Sequence, residues 1–338
     1  MTAIPAPGFA DPTRQRRAGR RRAAWTWARV AGSAVIFAVL IWRVGTGPFI
    51  DGVRTVDARV LAAAAGLGVL TTTCCAWRWK LVAGGLGVRL PLPAAVAAYY
   101  RSLFLNLTLP GGIVGDVHRG VSHGRDTNDV GRALRAVAWE RLAGQVVQVV
   151  LTVVVLLMLP SPVRPYMPLV TVALVIAALP IALAVRARPR SGRSAWGRIR
   201  SAAFGDIRHA LLARRAWLGI AVASALVVCG HALTFLIAAQ TAGATAPALR
   251  MLPLALIVML VMVVPSVAGW GPREGGAAWL FGAAGLGADQ GVATAVVYGV
   301  MALVASLPGA GVLVVSWSRR TLNRRRTERP LAKRTANA

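Results

Sequence analysis

Acidic residues are scarce in this sequence. Its 338 residues include only 11 Asp and Glu against 39 Lys and Arg, which gives a formal net charge of +28. Charged residues make up 15% of the chain and hydrophobic residues 56%, whereas about 25% of the residues in an ordinary soluble domain are charged. The composition therefore excludes an ordinary soluble domain and, because disorder requires low hydrophobicity, a largely disordered chain. A basic nucleic-acid binder and a polytopic membrane protein remain.

Cysteine and histidine are also few. Cys74 and Cys75 are adjacent, Cys229 is remote, and the four histidines form no paired motif. The sequence contains no metal-ligand spacing, P-loop or nucleophile elbow. We therefore expect no metal, no cofactor and no enzymatic activity, and we interpret the cysteines as small buried hydrophobic residues.

The basic residues are concentrated in three blocks that alternate with long apolar runs. Six Arg lie in residues 1–24, nine lie in residues 186–215, and eight Lys or Arg lie between Arg319 and the end. A nucleic-acid binder carries its basic residues on a folded face, whereas membrane proteins carry them in cytoplasmic loops. We therefore predict a membrane domain at 25–317 that does not bind nucleic acid. Its basic cytoplasmic segments are the tails 1–24 and 318–338 and the loop 186–215.

Apolar segments indicate an all-α polytopic transmembrane helix bundle of about eight spans, one or two of them re-entrant or broken. A membrane helix needs about 20 mainly apolar residues. Seven segments approach that length: Trp25–Trp42, Val60–Trp77, Leu134–Leu159, Tyr166–Val185, Ala216–Gln240, Met251–Val264 and Gln290–Trp317. A short apolar stretch after Glu274, ending near Leu286, supplies the eighth.

Two apolar stretches are interrupted by proline and glycine, which is the best sequence indication of a transporter's substrate site. The first is Ala94–Leu109 with the residues that follow it, and the second begins at Pro265. If Ala94–Leu109 crossed the membrane completely, the loop 186–215 would lie outside, against the positive-inside rule. We therefore predict that it is re-entrant and that both termini are cytoplasmic. The predicted hinge residues are Pro110, Gly111, Gly115, Pro265, Gly269 and Gly271.

Three acid–base clusters lie within or beside apolar sequence: Asp116 with Arg119, Glu140 with Arg141, and Arg273 with Glu274. An ionisable side chain in hydrocarbon costs about 2.5–3.5 kcal/mol, so such residues usually pair in a cavity and mark a function. Neighbouring residues on a helix point about 100° apart, so we expect partners between clusters. The alternatives are side chains of Glu140 and Arg141 that reach the headgroups, a loop salt bridge at Arg273, and a helix cap at Asp116.

Arginines beside broken helices suit the phosphate of an anionic lipid headgroup. Asn106, just before the Pro-Gly break, is expected to bind freed backbone groups. The remaining polar candidates are less specific, since Tyr99 and Tyr100 suit interfacial anchoring and His231 suits hydrogen bonding between helices. The predicted substrate-binding residues are Asn106, Asp116, Arg119, Glu140, Arg141, Arg273 and Glu274.

These motifs resemble the flippase-like family typified by the transmembrane region of lysylphosphatidylglycerol synthase, the multiple peptide resistance factor. That family has an Asn followed by Pro-Gly, then Gly-Gly-Asp and an Arg, as at residues 106–119, where Val114 replaces the first of those two glycines. It next has Glu-Arg with a Gly three residues on, as at residues 140–144. It ends with Pro, Gly-x-Gly and Arg-Glu-Gly, as at residues 265–275, where Pro272 is unusual.

The resemblance implies a multi-pass protein of the bacterial inner membrane that translocates an anionic or aminoacylated phospholipid, or a polyprenyl-phosphate lipid. Its expected partners are membrane lipids and a separate lipid-modifying synthase, since only about 20 polar residues follow the last span and the soluble synthase domain of the family is not predicted here. Two alternatives stay open. One is a non-transporting partner of lipid or cell-wall enzymes. The other is a membrane transferase for lipid-linked sugar, with Glu140 and Asp116 as its only plausible carboxylate pair.

Overall fold

The computed structural model describes residues 54–109, 112–169, 216–263 and 271–335, together with isolated positions outside these ranges. All regular secondary structure in these ranges is helical, which confirms the predicted all-α class. The described ranges contain one 3-10 turn, Arg164–Tyr166, and eight α-helices. The helices are α1 (Ala58–Gly85), α2 (Leu92–Thr108), α3 (Val114–Asp126), α4 (Val130–Met158), α5 (Trp217–Thr241), α6 (Ala248–Val261), α7 (Pro272–Ala283) and α8 (Ala288–Thr335).

Four of these helices are long and apolar enough to cross a membrane: α1, α4, α5 and the part of α8 up to Ser318. They correspond to four of the predicted spans. The predicted span Trp25–Trp42 and most of Tyr166–Val185 lie outside the described residues. The α1 helix continues past Trp77, where the sequence analysis ended the span, because Trp79, Val82 and Ala83 are completely buried. The α8 helix also continues well past Trp317, to Thr335.

The first interrupted stretch forms a helical hairpin, which we call hairpin one. It consists of α2 and α3, joined by residues 109–113. The two helices touch closely at Gly115, where an added Cβ would lie 2.7 Å from the Cα of Ser102. At 1.5 Å per residue the 17 and 13 residues of these helices extend about 26 and about 20 Å, less than the about 30 Å of a bilayer core.

The second interrupted stretch forms hairpin two, which consists of α6 and α7. The Arg250 guanidinium, near the start of α6, donates to the carbonyl of Ala284, just after α7, at 2.9 Å. At the other end of the hairpin Val261 lies against Gly276. The two helices are therefore antiparallel, and with 14 and 12 residues both are shorter than a full crossing.

The two hairpins open toward opposite ends of the molecule. At one end, which we call the Gly85 end, the first residues of α4 follow α3 and the first turn of α5 lies beside Leu81 near the end of α1. At the other end, the Thr241 end, the Gln290 side chain of α8 donates to the carbonyl of Ala242 at 2.7 Å. Hairpin one opens at the Gly85 end and hairpin two at the Thr241 end. The closed ends of both hairpins, which we call the tips, lie beside one cavity, since Ile113 of hairpin one and Met262 of hairpin two both line it.

The outer surface is apolar where α4 faces away from the bundle. Large hydrophobic side chains on this helix are exposed at four-residue intervals: Leu142, Val146, Val150 and Val154. The opposite face of α4 carries the buried residues Glu140, Gln148 and Thr152. This polarity is the reverse of that of a water-soluble helix, and it is expected of a helix with lipid on one side and a polar site on the other.

Candidate functional site

Five charged side chains form one cluster, which we call the central charge cluster. It contains Arg78 of α1, Asp116 and Arg119 of α3, and Glu140 and Arg141 of α4. All but Arg141 are less than a tenth exposed, and Arg119 and Glu140 are completely buried. A charge taken out of water is tolerated only when close partners compensate it. The positions of these three helices are therefore tied to one another through the cluster.

Glu140 accepts hydrogen bonds from side chains on three other helices. Its Oε1 accepts from Arg78 Nη2 at 2.5 Å and from the Tyr99 hydroxyl at 3.2 Å, and its Oε2 accepts from Arg119 Nη2 at 2.7 Å. Arg78 extends the network by donating to the Ser224 hydroxyl of α5 at 3.0 Å. The Glu140 side chain thus points into the bundle. The interpretation that it reaches the lipid headgroups was therefore wrong.

Asp116 accepts from four side chains of hairpin one and α4, one of which, Asn106, also fixes the turn of the hairpin. Its Oδ1 accepts from the Ser102 hydroxyl at 3.1 Å and from Arg119 Nε at 3.0 Å, while its Oδ2 accepts from Arg141 Nη2 at 2.5 Å. The helix cap of α3 is Ile113, which has no side-chain cap hydrogen bond. The interpretation of Asp116 as a cap was therefore wrong, and its carboxylate instead binds guanidinium groups.

Asn106 fixes the turn between the two helices of hairpin one. Its Oδ1 accepts the backbone N–H of Gly115 at 2.8 Å, and its Nδ2 donates to Asp116 Oδ2 at 3.1 Å. The first of these bonds satisfies one of the backbone donors that a helix leaves free at its start. Asn106 therefore binds a freed backbone group, as the sequence predicted, and also orients the carboxylate of the cluster.

Aromatic rings enclose the most deeply buried cation. The guanidinium carbon of Arg119 lies 4.6 Å from the ring centroid of Trp79 and 4.3 Å from that of Tyr99. Both rings belong to the buried core. A guanidinium held against aromatic faces is stabilised by cation–π attraction, most strongly where water is excluded. The prediction that Tyr99 and Tyr100 are interfacial anchors was wrong, since both are buried.

Arg273 and Glu274 pair with each other at the first turn of α7. The Arg273 Nε and Nη2 atoms lie 2.9 and 2.5 Å from Glu274 Oε1, and Glu274 Oε2 accepts the backbone N–H of Gly271 at 2.7 Å. Gly271 has φ +103°, a conformation that L residues rarely adopt, so glycine is required at this predicted hinge. Both side chains are buried, so this pair is not an exposed loop salt bridge.

A cavity of about 580 Å³, lined by both polar and apolar side chains, lies between the tips of the two hairpins. Its wall includes Ile113 and Asp116 from hairpin one and Met262 from hairpin two, together with Arg141 from α4. The far wall carries Tyr298 of α8 and His231 of α5, whose hydroxyl and Nδ1 are 3.1 Å apart. His231 thus bridges two helices, as predicted. The volume lies within the range of ligand sites, about 300–1,000 Å³.

The structure brings two of the three predicted acid–base clusters together. Glu140 and Arg141 do not pair with each other, as expected from their directions on the helix, and each binds a residue of α3. The third cluster, Arg273 with Glu274, pairs internally instead. Its link to the cavity is Tyr298, whose ring centroid is 5.8 Å from the Arg273 guanidinium carbon.

Sequence reasoning missed Arg78. It directly follows the predicted span Val60–Trp77, but it lies inside α1 and contacts Glu140. One signal was available, because Trp79 and the apolar residues up to Val82 continue the hydrophobic run beyond Arg78. A charged residue with apolar sequence on both sides is a candidate for the interior rather than for a loop.

Of the predicted hinge residues, Gly115 and Gly271 lie at the starts of α3 and α7. Pro110, Gly111, Pro265 and Gly269 lie outside the described residues. Within the ranges that the structure describes, no three His, Cys, Asp or Glu side chains are grouped as they would be around a metal ion.

The fold and site define a helical membrane protein that is built around two half-length hairpins and has a buried charge cluster beside a cavity. Residues 26–309 match the family described as Lysylphosphatidylglycerol synthase TM region. Because the match covers most of the chain, the protein belongs to this family, as its motifs suggested. A search of curated proteins found no match.

Proposed function

We propose that this protein moves a lipid headgroup across the bacterial inner membrane through the cavity between the two hairpin tips. The substrate class is an anionic or aminoacylated phospholipid, or a polyprenyl-phosphate lipid. One observation supports this most strongly: a cavity lined by Asp116 and Arg141 of the central charge cluster lies in a bundle whose outer face on α4 is apolar. A headgroup requires polar side chains along its path, while its acyl chains remain against the apolar exterior.

The two hairpins would act as re-entrant segments that enter from opposite sides. Both are too short to cross, both end near the cavity, and each carries an Arg and a carboxylate near the start of its second helix. Interrupted helices that meet near the bilayer centre are the usual site of substrate binding in transporters. Because they are oppositely oriented, each side of the membrane would have one half-length hairpin beside the same cavity.

The Gly85 end would face the cytoplasm, and both termini with it. Lys80, Arg89, Arg125 and Arg132 lie at or near this end. Asp206, within the basic segment 186–215, pairs with Arg135 near the start of α4, so at least that part of the segment lies at the same end. Basic residues mark the cytoplasmic side of membrane proteins.

Transport without chemistry fits the site better than catalysis. The carboxylate pair considered for a transferase, Asp116 and Glu140, accepts hydrogen bonds from three arginines. The oxygens of both carboxylates are thus occupied by guanidinium groups of the chain itself, which leaves neither carboxylate free to act on a bound lipid. We therefore propose that the chain acts on lipids made by a separate synthase.

The test is translocation of fluorescent phospholipid in liposomes that contain the purified protein. We expect the double variant Arg273→Ala, Glu274→Ala to lower the rate at least tenfold. The matched control is Arg135→Ala, Asp206→Ala, which removes another Arg–carboxylate pair, one whose arginine is 46% exposed. A wild-type rate in the first double variant would refute the site assignment. Absence of lipid movement, with co-purification of a lipid or cell-wall enzyme, would favour the non-transporting partner.

A further inference from the structure

The central charge cluster is not electrically balanced. It contains three guanidinium groups and only two carboxylates, so its formal charge is +1. The described ion pairs provide these arginines with no third acidic partner. Four other described carboxylates are bound elsewhere, since Asp57 and Asp129 cap helices and Asp206 and Glu274 pair with arginines of their own.

A lone positive charge inside a membrane protein is costly unless an anion or water compensates it. Two of the three arginines cannot reach such an anion. Arg78 is 5% exposed and Arg119 is completely buried between aromatic rings, and both are bound to Glu140. The excess charge is therefore accessible at the third arginine.

Arg141 meets the conditions for an anion site. Its side chain is 41% exposed and lines the cavity between the hairpin tips. Asp116 accepts from its Nη2 atom, and the Nε atom has no hydrogen-bond partner among the described residues. The Nε donor is thus buried without a partner, a ligand oxygen that reaches it would satisfy it, and phosphate oxygens match the geometry of a guanidinium edge.

A second donor lies on the same face of α4. Gln148, seven residues after Arg141, lines the same cavity and is only 9% exposed. Its side-chain Nε2 has no partner among the described residues. A buried amide donor without a partner is unfavourable, and a ligand oxygen would satisfy it. Since both side chains line the same cavity, an anion bound there has both as possible donors.

We propose that Arg141 and Gln148 bind the phosphodiester of an anionic lipid, and that the site discriminates against lipids whose headgroup carries a cationic substituent. The proposal rests on the lipid-handling function above and narrows its substrate class. One phosphodiester carries a single negative charge, which balances the cluster to zero.

The other walls of the cavity explain the discrimination. Among the described residues that line it, Asp116 is the only acidic one, and four side chains already donate to its two oxygens. The opposite wall presents His231, Tyr298 and Met259, none of them acidic. An aminoacyl ammonium group would therefore enter beside Arg141 without a free carboxylate, and two cations held together repel.

Binding is tested with purified full-length protein in uncharged detergent. The thermal unfolding midpoint is measured against increasing phosphatidylglycerol, lysylphosphatidylglycerol, phosphatidylcholine or inorganic phosphate. We expect phosphatidylglycerol to bind at least tenfold more tightly than the two lipids with a cationic group, and inorganic phosphate to have no effect at the same concentration. Equal or tighter binding of lysylphosphatidylglycerol would overturn the proposal. A shift with inorganic phosphate equal to that with phosphatidylglycerol would assign the site to free phosphate instead.

The variant Arg141→Gln tests the role of the excess positive charge in lipid binding. It makes the cluster neutral while Asp116 keeps Arg119 and Glu140 keeps Arg78, so the variant is expected to fold. Its preference for phosphatidylglycerol should disappear. Gln148→Leu, which keeps the charge, should weaken phosphatidylglycerol binding several-fold. The control is Arg132→Gln on the same helix, whose 45% exposed side chain is at the Gly85 end. Wild-type preference in Arg141→Gln would overturn the proposal.

The liposome assay separates this inference from the proposed function. Selective binding of phosphatidylglycerol without translocation would refute the proposed transport but support the anion site. Equal binding and equal translocation of phosphatidylglycerol and lysylphosphatidylglycerol would refute the selectivity but support the proposed transport.

Discussion

Arg119 and Glu140 form an ion pair 2.7 Å long between two helices, with neither side chain accessible to solvent. This pair attaches hairpin one to α4. Each partner also binds a second opposite charge, Asp116 for Arg119 and Arg78 for Glu140, so the contact belongs to a chain of charges across α1, α3 and α4. The whole chain is expected to respond when one charge is removed, because buried charges are favourable only as a paired set.

The variant Glu140→Gln should be strongly destabilised. It leaves Arg78 and Arg119 without their shared carboxylate and raises the formal charge of the central charge cluster to +2. Removal of one partner from a buried ion pair costs about 3–5 kcal/mol. We expect a large fall in the thermal unfolding midpoint of the purified protein, or loss of folded protein from the membrane.

The matched control is Asp206→Asn, which removes the carboxylate partner of an exposed arginine, Arg135. Exposed ion pairs contribute about 0–1 kcal/mol, so this variant should unfold close to the wild-type temperature. An equal fall in the unfolding midpoint of the two variants would show that burial of the central charge cluster does not determine how much the cluster stabilises the fold.

Gly144 should not tolerate a side chain. It lies one turn after Glu140 on α4, and a Cβ added there would lie 2.6 Å from Arg78 Nη1. Gly144→Ala would displace the guanidinium from Glu140, and overpacking of this kind costs about 1–3 kcal/mol. Gly66→Ala on α1, where an added Cβ meets nothing within 4 Å, is the control. Because alanine favours helix by about 1 kcal/mol over glycine, the control should be neutral or stabilising. Both midpoints are measured by thermal unfolding.

Much of the fold was predictable because membrane helices are marked by hydrophobicity alone. The four long apolar helices appear at the predicted places, with bounds that differ by a few residues at most ends. The ends of the helices are harder to predict. A helix can extend past a charged residue when the residues beyond it pack against other helices, as α1 does beyond Arg78. The two interrupted stretches were also recognisable, since proline and glycine are unusual within apolar runs.

The pairing within the site was only partly predictable. Helix geometry was enough to predict that Glu140 and Arg141 bind different partners, because adjacent side chains diverge. It was not enough to find Tyr99 or Ser224, whose hydroxyls are common on any membrane helix and acquire a role only through contacts across the bundle. Residues far apart in sequence, such as Arg78 and Glu140, are brought together by tertiary packing, which a single sequence does not contain.

The proposed orientation predicts which loops are accessible from outside. Thr127, at the Gly85 end, and Thr245, at the Thr241 end, are both exposed. In a background without Cys74, Cys75 and Cys229, a membrane-impermeant thiol reagent should label Thr245→Cys in intact cells. It should label Thr127→Cys only after the membrane is permeabilised. The reverse pattern would place the Gly85 end outside and contradict the orientation. Labelling of both sites in intact cells would be inconsistent with either orientation.

Two substitutions at Tyr298 should distinguish the stability contributed by its hydrogen bond from that contributed by the packing of its ring. Its hydroxyl lies 3.1 Å from His231 Nδ1, and its ring packs 6.0 Å from that of Phe235. Tyr298→Phe removes only the hydroxyl, which should cost about 0.5–1.5 kcal/mol. Tyr298→Ala also removes the ring from a buried position, which should cost about 3–5 kcal/mol. Thermal unfolding distinguishes the two, and equal losses of stability would mean that the hydroxyl, not the ring, supplies most of the stabilisation.

Since Tyr298 also lines the cavity, Tyr298→Phe should slow lipid translocation in liposomes even where the variant remains folded.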